Sequence, residues 1–279
     1  MTAPINPPEL DLALKSLWGA RALPFGAAVE TPYASDTFKQ TRHRLEQLVS
    51  VRACGLLHGP NGVGKTLLVQ HFLKSLPDKR YKPLVLSHSS VTGTDLLRLL
   101  CLELGQPARM RRSDNVMLIR QGWQQLERLW PVVVLDEAQN LSATALEEVR
   151  LLSCDRRDTQ PPFSLLLVGD EQLLPRLQMG INAPLLARLS FCLRLEPWMG
   201  DELAGYIQAR LEDVGIHANP FEAAALQLLL QAGNGLPRLL NHLAQRALEE
   251  AAAQNSRAIT TAHMQRALEL LPWVAQLPK

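Results

Sequence analysis

Gly59-Pro60-Asn61-Gly62-Val63-Gly64-Lys65-Thr66 decides the fold of this 279-residue chain. It is a complete G-x-x-x-x-G-K-T loop between an apolar run at 53–58 and a helix-periodic run at 65–76. Binding a triphosphate takes many hydrogen-bond donors converging on a small volume. Glycines at 59, 62 and 64, with Pro60, Asn61 and Val63 between them, allow backbone angles closed to other residues, so that several N–H groups turn toward phosphates. The helix that follows adds the positive end of its dipole. In this pattern Lys65 reaches the β- and γ-phosphates and the Thr66 hydroxyl holds Mg²⁺. The rival reading is a Gly-rich turn that happens to contain Lys-Thr, and the strand before it and the helix after it argue against that.

Strand and helix signals alternate outward from the loop. Strands are expected at 53–58, 83–88, 131–135, 163–168 and 191–195, and helices at 65–76, 94–104, 115–129 and 143–153. Asp36 is a plausible cap for an earlier amphipathic helix carrying Phe38, Leu45 and Leu48. All-apolar strands separated by helices imply an α/β fold, a parallel sheet covered on both faces. After residue 197 only helical patterns remain, at 201–211, 220–232, 237–252 and 261–271. The expected organisation is an N-terminal arm at 1–35 with a short helix at 10–18, a P-loop NTPase core at 36–197, and a smaller helical lid at 198–279.

Val132-Val133-Val134-Leu135-Asp136-Glu137 supplies the second half of a nucleotide site. The aliphatic run carries Asp136 to the C-terminal end of a strand, where its carboxylate can hold the Mg²⁺ water shell. Glu137 follows, placed to polarise the water that attacks the γ-phosphate. About 70 residues separate Thr66 from Asp136, room for an additional strand between the loop strand and the acidic one. Asp170, after the strand at 163–168, is either a γ-phosphate sensor or the N-cap of a helix at 171–177, an acid where an amide or hydroxyl is more usual. Arg188, before the last strand, reads either as an arginine finger for a neighbouring subunit's nucleotide or as a structural salt bridge. Arg238, in Gly235-Leu236-Pro237-Arg238, opens a helix at a fixed point and reads as a phosphate contact or as a solvated helix residue.

These residues resemble the AAA+ ATPases, and within them the ExeA-like branch, over nearly the whole chain. Asp136-Glu137-Ala138-Gln139-Asn140-Leu141 and Gly235-Leu236-Pro237-Arg238-Leu239-Leu240-Asn241 are the specific strings; the phosphate loop is shared far more widely. Leu23-Pro24-Phe25-Gly26 and Val168-Gly169-Asp170-Glu171-Gln172-Leu173 add to them. The resemblance implies that Lys65, Thr66, Asp136 and Glu137 bind and hydrolyse ATP, that Arg188 is the finger and Arg238 the lid sensor, and that Tyr33 lies against the adenine. It also implies a homo-oligomer, as a ring or a helical filament. Secretion-associated ExeA proteins continue into a membrane span and a wall-binding region. Stand-alone ATPases of this size resemble the TnsC, TniB and MuB helpers of DNA transposition, which assemble on duplex DNA with ATP and recruit or stimulate a transposase. With nothing of that kind before Lys279, the expected function is the second. The alternative is an ExeA-like ATPase that assembles a secretion or other membrane complex through protein contacts, and a third is a signalling or defence switch of the same fold.

A formal charge of +2 neither announces nor excludes nucleic acid. The local candidate is Gln106-Pro107-Ala108-Arg109-Met110-Arg111-Arg112-Ser113-Asp114. There Arg109, Arg111 and Arg112, with Ser89, Ser90 and Thr92, could follow the backbone of duplex DNA without sequence preference, or instead form a solvated loop capping the preceding helix. Arg156 and Arg157, with Asp155 and Asp158, read as a self-paired helix end. The four cysteines lack metal-ligand spacing and suit a reducing cytoplasm. Without a signal-peptide order or an apolar run of about 18 residues, no membrane association and a cytoplasmic location are expected.

Overall fold

The computed structural model describes residues 7–26, 32–87, 91–154 and 161–276. They fall into two compact units. One takes in Asp36–Pro60 and Lys65–Glu196; the other takes in the described residues of Met1–Ser35, Asn61–Gly64 and Pro197–Lys279.

The first unit is built on five parallel strands: β1 (Cys54–His58), β2 (Tyr81–Leu86), β3 (Trp130–Leu135), β4 (Ser164–Gly169) and β5 (Leu189–Arg194), in the order β2-β3-β4-β1-β5. The central strands β1 and β4 are buried at every position, while the edge strands β2 and β5 alternate with exposed residues. That gradient is what a parallel sheet with both faces covered demands of its middle. The helices of this unit are α2 (Asp36–Ser50), α3 (Lys65–Ser75), α4 (Gly93–Glu103), α5 (Arg112–Gln125), α6 (Ala143–Leu152), α7 (Leu173–Gln178) and α8 (Ala183–Leu186). Leu84, Leu97, Ile119, Leu146, Phe163 and Leu167 join one core against the sheet.

β2 begins two residues before the expected strand. It can run through Pro83 because an edge strand has a side on which no N–H is needed. α5 begins at Arg112 rather than 115. Asn115, which looked like a helix start, is instead fully buried inside the first turn, and its side chain is spent on the loop before the helix.

The second unit holds α1 (Pro7–Trp18), α9 (Asp201–Asp213), α10 (Ala223–Gly233), α11 (Pro237–Ala253) and α12 (Thr261–Glu269). Leu10 and Leu14 of α1 bury with Ile207, Leu211, Leu240, Leu243 and Leu248. The segment read as an arm is fastened to these helices by polar bonds as well. Trp18 Nε1 donates to the Arg257 carbonyl at 2.7 Å, the Arg21 N–H to that of Val214 at 2.8 Å, and the buried Arg210 to that of Pro24 at 3.2 Å. Asn234 caps α10 in the left-handed region, Gly235 follows at φ +72°, and Pro237 opens α11. A Cβ on Gly235 would lie 2.6 Å from both the Pro197 Cβ and the Trp198 carbonyl oxygen. Among the described residues, no helix is long and apolar enough to cross a membrane.

Two histidines are held neutral by the packing. His58, the last residue of β1, is buried, its Nδ1 has no hydrogen-bond partner among the described residues and its Nε2 lies 3.8 Å from Cys192 Sγ. Burial, and then the charge of Arg194, push its pKa below the ordinary value. His263, in the capping box of α12, is lowered mainly by burial. The unfolded chain protonates these rings near pH 6.5 and the folded chain only at lower pH, so acid favours unfolding.

Two outcomes follow. Gly235→Ala should destabilise the helical unit by about 2–4 kcal/mol, read as a lowered urea midpoint, because strain and a backbone clash add. Stability measured in urea should fall as pH drops below about 6.5, and His58→Gln should flatten that dependence; an unchanged slope would remove His58 as a cause.

Candidate functional site

The glycines of the loop answer local steric demands. Gly59, at φ +155°, passes so close to the chain leaving β5 that a Cβ would collide with the Leu195 carbonyl oxygen. Gly62 and Gly64 have φ of +86° and +107°, conformations a side chain would strain. The chain then enters α3 at Lys65. This lysine is buried, and its Nζ donates to the carbonyls of Gly59 at 2.8 Å and Pro60 at 3.0 Å. An ammonium is thus seated at a helix start, where backbone N–H groups also converge. In the helical unit, to which Asn61–Gly64 belong, the Arg238 N–H donates to the Gly62 carbonyl at 3.2 Å. A Cβ on Gly62 would meet the Arg238 Cβ at 3.1 Å.

The acidic half lies at the end of β3, separated from β1 by β4 as the spacing of the motifs suggested. The Thr66 hydroxyl donates to Asp136 Oδ2 at 3.0 Å. Asp136 is buried, its N–H is fixed on the Leu86 carbonyl at 2.9 Å, and its Oδ1 accepts the Glu137 N–H at 2.9 Å. Glu137 itself occupies the left-handed region, φ 54° and ψ 36°, a conformation costly for a side chain of this size. A hydroxyl and a carboxylate side by side form the oxygen donor set that Mg²⁺ takes, and the residues present fit that ion.

Residues missing from the sequence reading surround Glu137. Gln139 Nε2 donates to Glu137 Oε2 at 2.7 Å, and Gln139 Oε1 accepts the Asp170 N–H at 3.2 Å. Arg176, on α7, donates from its two terminal nitrogens to the carbonyls of Gln139 and Leu141. Gln139 stood inside the Asp-Glu-Ala-Gln-Asn-Leu string, so its presence was visible though its partner was not. Asp170 keeps its place at the end of β4, and its carboxylate accepts the Gln172 N–H at 2.9 Å in the turn before α7, whose own N-cap position is Gln172, not Asp170.

The remaining candidates are dispersed. Tyr33 is packed in the helical unit, its ring centroid 5.7 Å from that of Trp198 and 5.9 Å from that of Tyr206. Arg188 stands just before β5, whose first residue pairs with Cys54 at the start of β1. Arg188, one residue before that pair, is six residues back from the level of Gly59, so at about 3.3 Å per residue it lies roughly 20 Å away along the strand direction, too far to serve its own chain's phosphate loop. Its guanidinium donates to the Pro184 carbonyl at 2.8 Å and to Cys154 Sγ at 2.7 Å, and among the described residues no carboxylate pairs with it.

In the arginine loop, the guanidinium of Arg112 grips Glu148 of α6 through two bonds, at 2.5 and 2.7 Å, while its side chain stays half exposed. Thr92 caps α4, accepting the Asp95 N–H at 3.4 Å. Ser89, Ser90, Arg156 and Arg157 lie outside the described residues. Arg109 and Arg111 remain exposed.

Residues 47–177 match the AAA domain family. Among curated proteins, the chain is 31% identical over 210 residues to General secretion pathway protein A of Aeromonas hydrophila, across 73% of this chain and 38% of that protein. It is 29% identical over 156 residues to the Mu-like prophage FluMu DNA transposition protein B of Haemophilus influenzae, across 56% of this chain and 50% of that protein. The chain thus spans half or less of the length of these two relatives. Among solved structures, Cdc6p from Pyrobaculum aerophilum superposes with a TM-score of 0.71 at 17% identity, over 91% of this chain and 74% of that one, and shares its fold. A phosphate loop opening α3, an acidic pair closing β3 with β4 between, and these relatives together make the chain a member of the AAA+ ATPases, with relatives named for secretion and for transposition.

Proposed function

We propose that this ATPase is an oligomerising regulator that binds duplex DNA with ATP and recruits or activates a transposase at target sites in the cytoplasm. The observation that carries this reading is the way the arginine loop is held. Asn115 is fully buried and its amide grips the Arg109 backbone, accepting the Arg109 N–H at 2.7 Å and donating to the Arg109 carbonyl at 3.0 Å, while its Oδ1 also accepts from the Cys101 thiol at 3.7 Å. Arg98 adds a bond to the same carbonyl at 3.2 Å, and the Gln106 N–H is tied to the Cys101 carbonyl at 2.8 Å. A merely solvated loop has no need of a buried amide. This one is held with Arg109 and Arg111 exposed on either side of Met110, itself 83% exposed. Two phosphate contacts per subunit are weak, but repeated along an assembly they become strong, salt-sensitive and indifferent to sequence. The transposition relative supports the partner class.

In this reading the loop N–H groups and Lys65 hold the phosphates, and Thr66 and Asp136 hold Mg²⁺, which would neutralise phosphate charge. Glu137 orients and polarises the attacking water, and the helices after residue 197 act as a lid. Arg238, its backbone tied to Gly62, is the lid's sensing arginine, Asp170 marks the end of β4, and Tyr33 lies toward the base. Arg188, too far from its own loop, completes the site of the next subunit in a ring or filament. The alternative, ATP-driven assembly of a secretion or other membrane complex through protein contacts, draws on the longer match to the secretion relative.

Duplex DNA binding and electron microscopy with ATP, a slowly hydrolysed analogue, ADP or no nucleotide, over a salt series, separate the two. ATP-dependent assemblies on DNA are expected; ATPase activity with no DNA association at low salt would favour protein-mediated assembly. Replacing Arg109 and Arg111 by Ala should reduce DNA affinity at least about tenfold and lower the salt slope by about two per subunit, with nucleotide affinity unchanged. Glu137→Gln should cut turnover by about a hundredfold or more and prolong the assembled state. Arg188→Ala should be inactive alone, yet regain on the order of a quarter of normal turnover when mixed equally with Glu137→Gln, since mixed neighbours restore complete sites. No recovery would put Arg188 outside the site.

A further inference from the structure

Glu137 poses a positioning problem. A carboxylate that polarises water has to be held within about 0.5 Å of its working place. Yet Glu137 is exposed, and its flexible side chain stands on a backbone in the left-handed region. Asp136 fixes that backbone through the Glu137 N–H, but leaves the carboxylate free to swing.

What stops the swing is the Gln139 amide. Its Nε2 donates to the Glu137 carboxylate at 2.7 Å while its Oε1 is held by the Asp170 N–H at 3.2 Å, at the end of the strand between β1 and β3. Gly169 makes room for it: a Cβ there would lie 2.6 Å from Gln139 Oε1. The backbone of Gln139 is fixed in turn by Arg176. Meanwhile the side chain of Asp170, read from the sequence as a γ-phosphate sensor or a cap, is turned to the Gln172 N–H. The amide at the end of β4 therefore comes from the loop after β3.

We infer that Gln139 is the positioning residue for hydrolysis: its amide orients the Glu137 carboxylate and couples it to the C-terminal end of β4, with Arg176 holding the loop that carries it. The inference rests on Glu137 being the group that polarises the attacking water.

Gln139→Ala should lower kcat by about 10- to 100-fold, leaving KM and the affinity for a fluorescent ATP analogue within about twofold of the parent. In protein without nucleotide, the Gln139 side-chain N–H resonances, assigned by their loss in Gln139→Ala, should shift on Glu137→Ala. Unmoved resonances would overturn the contact, and so would a Gln139→Ala defect confined to KM and melting temperature. Undiminished kcat in Gln139→Ala, with Glu137→Gln inactive, rejects the inference alone. Undiminished turnover in Glu137→Gln rejects the reading beneath it.

Discussion

The hydrogen bond from the Thr66 hydroxyl to the Asp136 carboxylate, 3.0 Å long, is the interaction around which the ATPase unit is arranged. It joins the first turn of the helix that leaves β1 to the end of β3, across the intervening β4. Only a parallel sheet delivers three strand ends to one edge, with a helix N-terminus above them. Each partner is then placed by something rigid. Thr66 is held by α3, and Asp136 by its own N–H on the Leu86 carbonyl of β2. Burying Lys65 nearby would cost several kcal/mol if the charge had no compensation, and the Gly59 and Pro60 carbonyls provide part of it. Cation, hydroxyl and carboxylate thus share one strand edge, which suits a polyanion accompanied by a divalent ion.

The parts of this arrangement that were legible in the sequence are those encoded by local rules. The strand before Gly59, the helix after Lys65 and the aliphatic run before Asp136 are periodicities of a few residues, and the helical stop and start at Asn234-Gly235 and Pro237 are backbone chemistry. Contacts between residues distant in sequence left no such trace. Three arginines in four positions looked like one basic patch, and no local signal showed that Glu148, on another helix, pairs with Arg112. The helix read from 115 begins three residues earlier, and the hold of the buried Asn115 on the Arg109 backbone is a packing contact that no local signal carries. Leu10 and Leu14 showed an apolar face, and what covers that face lies some 200 residues on.

Arg176 shows how one side chain can organise chemistry without touching it. Its guanidinium holds the carbonyls of Gln139 and Leu141, and its own carbonyl accepts a bond at 2.9 Å from Nδ2 of the buried Asn182. Asn182 immediately precedes α8, and the turn after α8 carries Arg188. Glu137 and Arg188 are therefore tied through bonded and packed groups of one unit, and neither can shift far without the loop or the helix that holds it. If Arg188 completes a neighbour's site, the geometry inside each subunit sets the relation between the site it owns and the site it finishes. Misplacement by an ångström at the subunit contact would then cost turnover, because the finger would have to give up its bonds to the Pro184 carbonyl and Cys154 Sγ to follow it. Under that proposal such rigidity suits an ATPase whose assembled state is its working form: hydrolysis would then need a neighbour seated in register, and the same contact that builds the assembly would also set how long it lasts.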